Sequence, residues 1–183
     1  MLVVLVIIAV LLAIAIAIVL IAASFRPDSF SVQRAAVIAA PPEQIFPLIA
    51  DFHRWEGWSP WEHKDPAMKR SFEGAASGAG AVYAWDGNRN VGAGRMEILE
   101  ATVPSKIVIK LDFIKPFEGH NMAEFALHPR GRSTEIVWTM QGPAPLLSKL
   151  MQLFLDFDKM IGKDFEAGLA GLKRLAEAQP ALS

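Results

Sequence analysis

The hydrophobic pattern divides the chain into two unlike parts. Leu2 to Ala23 is a run of 22 Leu, Val, Ile and Ala residues without a polar interruption. As a helix it rises about 33 Å at ~1.5 Å per residue, enough to cross a hydrocarbon core of ~30 Å. It has no polar face, which argues against a helix half-buried in a soluble core. Residues 1–24 therefore read as a transmembrane anchor, and residues 25–29, with Arg26-Pro27-Asp28, as a connector. Pro27 ends the helix because it has no amide hydrogen to donate. From residue 30 to residue 183 the pattern is that of one domain, with no second linker and no internal repeat.

Within that domain the period changes twice. Phe30 to Ala40, rich in β-branched and small residues, predicts a strand, and Pro41-Pro42-Glu43 starts a helix carrying Ile45, Phe46, Leu48 and Ile49 on one face. Asp51 to Pro66 shows no regular period. Six strands are then predicted at Lys69–Glu73, Ala81–Asp86, Gly94–Ala101, Lys106–Phe113, Asn121–Pro129 and Thr134–Gln141. Gly, Pro and Asn separate them. Ile107, Ile109, Leu111 and Phe113 share one side of their strand, against Lys110 and Asp112. Such alternation marks an antiparallel sheet with one dry face and one wet face. After Gly142-Pro143 the spacing becomes helical. Leu146, Leu147, Leu150, Met151, Phe154 and Leu155, then Met160, Ile161, Phe165, Leu169, Leu172 and Leu175, predict one long helix. Its stripe is expected to bury against the dry face, giving an α+β fold.

Composition and charge sharpen this picture. Hydrophobic residues make up 52% of the chain, an average inflated by the first segment. Every charged side chain lies at or beyond Arg26, so the net charge of -1 belongs to the domain. A domain so close to neutral gives no electrostatic reason to expect nucleic acid. The chain has no cysteine, which removes disulfides, thiolate metal sites and cysteine nucleophiles. For the first segment the alternative is a cleaved signal peptide, with small residues at Ala22-Ala23-Ser24. Against it, no basic residue precedes the run, which also exceeds the ~7–15 residues of a signal core. The expected location is a single-pass membrane protein. Arg26 and Arg34 on the C-terminal flank favour a cytoplasmic domain by the positive-inside rule.

Aromatic and sulfur side chains dominate the candidate chemistry. Trp55, Trp58 and Trp61 cluster beside Phe52 and read either as the wall of a ligand pocket or as a plug in the core. Tyr83, Trp85 and Trp138 point toward the helix by alternation. Met96, Met140 and Met151 add adaptable apolar surface. With Leu111, Phe113, Phe125 and Phe154 these residues are the expected lining, and Asn121 is the polar group placed to orient a ligand carbonyl. For catalysis, Asn121, Tyr83 and Asp156 are the candidates, although Asp156 reads first as a solvated residue or a helix cap. The histidines lack zinc-ligand spacing, no phosphate loop is present, and no nucleophile–base pair is readable, so no metal or cofactor is expected.

The element order, with Asp51-Phe52-His53-Arg54-Trp55-Glu56-Gly57-Trp58-Ser59-Pro60-Trp61-Glu62, Ser77-Gly78-Ala79-Gly80, Trp85-Asp86-Gly87-Asn88, Phe117-Glu118-Gly119-His120-Asn121 and the Trp138 strand, resembles the START/Bet v 1-like superfamily. The likeness is to its polyketide cyclase/dehydrase-type (SRPBCC) group and covers about Ser31 to Glu177. It implies a helix-grip fold, a curved antiparallel sheet wrapped around a long C-terminal helix, with an apolar molecule held between them. The expected function is membrane-tethered binding of a small apolar or amphipathic ligand such as a lipid or polyketide. Two alternatives stand beside it: a cyclase/dehydrase-like enzyme, and a packed accessory protein with no ligand. The pattern carries no indication of oligomeric state.

Overall fold

The computed structural model describes residues 1–179; the last four residues assigned to the domain from the sequence lie outside the described residues. The first element is α1, Leu2–Ser24, a helix of 23 residues. Phe25 to Asp28 connect it to β1, Ser29–Ile38. Helix α2, Pro42–Ala50, begins with proline in its first turn, where a missing amide hydrogen costs nothing. A 3-10 turn over Phe52–Gly57 and the short α3, Trp61–Lys64, follow where no period was readable.

The remaining strands are β2 (Lys69–Gly74), β3 (Ala81–Asp86), β4 (Ala93–Thr102), β5 (Lys106–Lys115), β6 (Gly119–Arg130) and β7 (Ser133–Pro143). They agree with the predicted spans to within two residues at each end. All seven form one antiparallel sheet in the order β1-β7-β6-β5-β4-β3-β2, so β1 and β2 are its edges. The β2 edge is short and largely exposed. The β1 edge lies against the C-terminal helix.

That helix differs from the expectation in length. The predicted continuous helix is two pieces, α4 (Leu146–Met151) and α5 (Phe157–Glu177). The break is set by Asp156, whose extended backbone leaves the helix and whose carboxylate accepts the Lys159 amide hydrogen at 2.9 Å, capping a new helix. The two halves of the apolar stripe therefore meet different fates. Phe165, Leu169, Leu172 and Ala176 of α5 are buried over the sheet, whereas Leu146, Leu147, Phe154 and Leu155 are exposed.

Arg34 fastens α5 to β1. Its guanidinium bonds Asp158 at 2.9 Å and Glu166 at 2.8 Å, and it lies against Gly162, where any side chain would collide with it. Those two carboxylates hold the Arg34 guanidinium well above its ordinary value, despite some desolvation. Glycine also sets the height of the helix above the core. A Cβ on Gly171 would stand 2.6 Å from the Trp58 carbonyl oxygen, and one on Gly168 would stand 2.8 Å from the Trp138 ring.

Candidate functional site

Register places the predicted lining residues on successive rungs of the sheet's inner face. One rung runs Phe30, Gly142, Asn121, Leu111, Met96 and Tyr83. The next carries Val32, Met140, Ala123, Ile109 and Ile98. Beyond it lie Arg34, Trp138, Phe125 and Ile107. On the other side of the Phe30 rung, Trp85 and Phe113 flank Gly94, and the Trp85 ring occupies the space above that glycine.

The Trp138 rung is filled by the protein's own rings. Trp138 stacks on Phe165 of α5 at 4.0 Å and 6°, and on Phe125 at 4.6 Å and 29°. Trp58 meets Phe125 and Trp138 edge-on, and Trp61 does the same to Trp138 and Phe165. Trp55 packs on Trp58 and Phe52. The indoles of Trp55 and Trp58 also donate to the Ile49 and Leu48 carbonyls, at 2.9 and 3.0 Å. Those carbonyls belong to the last turn of α2, which has no intrahelical donor for them. Here the tryptophans close the core and finish a helix end in one arrangement.

The polar groups divide similarly. The Tyr83 hydroxyl donates to Glu62 at 2.6 Å, and Arg70 bonds the other oxygen of that buried carboxylate at 2.6 Å. Burial first, then the bond to Glu62, pushes the Tyr83 phenol up. Asp156 is committed to its helix cap. Asn121 is buried on the inner face, with its amide over Gly142, a rung neighbour of Phe30. His120, on the outer face, bonds Asp112 at 2.7 Å, and that bond raises the imidazole above its ordinary value of 6.5. His53 bonds Asp51 at 3.0 Å and stacks on Phe72.

Open space lies at the Phe30 end of the sheet. A cleft of about 530 Å³ runs between Phe30 and Val32 of β1 and the segment Gln152 to Asp158, with Arg26 at its rim. Leu153, Phe154 and Leu155 supply its apolar wall, and Asp156 and Asp158 its acidic edge. A second cleft of about 390 Å³ lies around the same strand, between Ser29, Phe30 and Ser31 and the residues His120, Met122, Gln141 and Gly142. Both adjoin the start of β1, which begins five residues after the end of α1. Of the predicted lining residues, Phe154 borders the larger cleft, and Met151 precedes it in the chain. Phe30 and Val32 fell within the strand read from the sequence, but nothing in their spacing distinguished a cleft wall from ordinary packing.

The fold has counterparts among solved structures. A Chromobacterium violaceum protein shares 16% identity with a TM-score of 0.59, covering 84% of this chain and 100% of its own. A Thermobifida fusca protein shares 20% identity with a TM-score of 0.59, over 84% and 97% of the two chains. The di-domain ARO/CYC protein BexL of the BE-7585A biosynthetic pathway shares 13% identity with a TM-score of 0.60, covering 87% of this chain and 53% of BexL. At these identities the likeness is one of fold. No curated protein sequence matches the chain. The sequence from residue 29 to residue 177, the stretch that builds the sheet and its clasping helix, matches a family as a whole. By that match the chain belongs to the polyketide cyclase/dehydrase and lipid transport family.

Proposed function

We propose that the protein binds a small apolar or amphipathic molecule at the Phe30 end of its sheet, while α1 tethers it to a membrane. The observation that carries this is the position of the 530 Å³ cleft, whose walls are Phe30, Val32, Leu153, Phe154 and Leu155. Its size falls within the range of small-molecule sites, roughly 300–1,000 Å³. Burial of an acyl or ring system there would gain ~25 cal/mol per Å² of apolar surface. Arg26 at the rim supplies a polar partner for a head group. The inner-face rung of Phe30 also carries Asn121, Leu111 and Met96. The family's description as cyclase/dehydrase and lipid transport agrees with a ligand of this kind.

The test uses the full chain purified in a phosphatidylcholine bilayer disc. Extraction and mass spectrometry should recover a bound apolar or amphipathic molecule other than the disc's phosphatidylcholine, and a fluorescent fatty acid should bind beyond the level taken up by empty discs. Ser31→Trp, which fills the cleft from an exposed position, should abolish that binding with the fold intact. Absence of any bound molecule or probe, or binding unaffected by the substitution, would overturn the proposal.

The packed reading has its own support in the Trp138 stack, which fills the inner face beneath α5. It predicts no bound molecule in the same experiment. For the enzyme reading, the Tyr83 hydroxyl and Asp156 are both engaged structurally.

A further inference from the structure

We infer that the exposed apolar side of α4 and the turn after it lies in the surface of the membrane that α1 crosses, so that the cleft opens toward lipid. This rests on the tether proposed above and adds the route by which a ligand enters. Along α1 nearly every side chain is exposed, but Val19 is half-buried and Ala23 is fully buried. They lie in the part of α1 that approaches the domain, and α1 packs against α4. Four residues separate Val19 from Ala23, a rise of about 6 Å. Helix α4 is thus level with the final turns of the span. That is the depth, ~5–10 Å into the head-group and acyl boundary, at which interfacial helices lie.

The chemistry of α4 fits that depth. Phe25 is 85% exposed, Phe154 76%, Met160 55%, Leu146 53%, Leu147 51% and Leu155 46%. Of these, Leu146 and Leu147 belong to α4 and Phe154 and Leu155 to the turn after it, and exposed apolar side chains so close along the chain mark a surface made for a partner. The charge in α4 is turned off that surface: the Lys149 side chain is only 10% exposed and pairs with Asp28 of the connector. The Asp28 carbonyl accepts the Ala144 amide hydrogen at 2.7 Å, fixing the start of α4 to the foot of α1. The same helix that crosses the bilayer therefore holds α4, which favours lipid over any other occupant. Leu153, Phe154 and Leu155 both continue this surface and line the cleft.

Because the chain has no cysteine, single reporters can be introduced cleanly. The full chain in phosphatidylcholine vesicles would carry an environment-sensitive fluorophore at Leu147→Cys or Phe154→Cys. Val103→Cys is the comparison site, 71% exposed in the β4–β5 hairpin. It lies about five residues along the sheet from Phe30, ~17 Å farther from the anchor. Leu11→Cys reports on α1 itself. Lipids with a nitroxide near the head group should quench the Leu147 and Phe154 reporters several-fold more than the Val103 reporter, with a blue shift in emission. If those two reporters behave like Val103 while deep nitroxides quench Leu11, α4 is not in the membrane and the tether stands. If Leu11 is not quenched either, the tether itself is wrong and the inference falls with it. Shielding from aqueous quencher without lipid quenching, together with cross-links between copies, would assign the face to a second copy and overturn the inference.

Discussion

Trp138 concentrates the chemistry of the core in one side chain. It is 4% exposed, stacked between Phe125 and Phe165, and its indole N–H has no acceptor among the described residues. Two opposing terms follow: the rings contribute contact area, and a buried N–H without a partner costs desolvation. Trp138→Ala should lower unfolding stability by ~3–5 kcal/mol, the usual loss for a buried large aromatic. Trp138→Phe keeps a ring in the stack and removes the orphaned donor, so its loss should be clearly smaller. Denaturant melts of the two variants check the ordering. Equal losses would mean that the space freed by the smaller ring outweighs the relief of the N–H.

At the scale of elements, α5 depends on glycine for its approach. A Cβ on Gly171 would meet the Trp58 backbone, which has no freedom to move aside as a side-chain tip would. Alanine gains ~1 kcal/mol of helix propensity over glycine, and overpacking costs ~1–3 kcal/mol. Because the obstacle is backbone, Gly171→Ala should destabilise on balance, and a thermal melt would read the sign directly. The strands were legible because alternation records which face each residue occupies. Lys106 to Phe113 displays its inner side as Ile107, Ile109, Leu111 and Phe113 before any partner strand is known. The division of α4 from α5 was not legible. Apolar spacing from Leu146 to Leu155 serves a helix buried on a sheet and one turned outward equally well, and the break depends on the Asp156 cap and on Asp28, 121 residues from Lys149. The tryptophans were visible as a cluster, but whether they line a space or fill it turns on how close α5 comes. That distance is fixed by Gly168 and Gly171 rather than by the tryptophans.

The whole molecule is joined across its layers by ionised groups, which gives its stability a pH dependence. The Lys149 ammonium holds the Asp28 carboxyl below its ordinary 3.8, and the Arg34 guanidinium does the same to Asp158. The Ala39 amide hydrogen, with Lys173, lowers Glu177 from 4.5. Each lowered group contributes stability above its unfolded value and loses it as pH falls through the folded value. Acid should therefore loosen the helices from the sheet below about pH 4. His120 has the opposite sign. Its contribution is complete below 6.5 and disappears as pH rises through the raised folded value. Melting temperature against pH should fall at the acid end and decline slightly as pH rises above 6.5. Asp112→Asn should return the His120 titration, read by NMR, toward 6.5.

The proposed confinement by α1 also changes what the far edge of the sheet must withstand. Copies of the chain pinned by α1 in one bilayer would drift at a common height and collide sideways, far more often than free molecules do. A long, flat, greasy border would then recruit its neighbour strand by strand. The six-residue β2, carrying exposed Lys69 and Glu73, presents hydrated charge at that border instead. Under such confinement, strand pairing at this short edge would have to strip the water from those charges first.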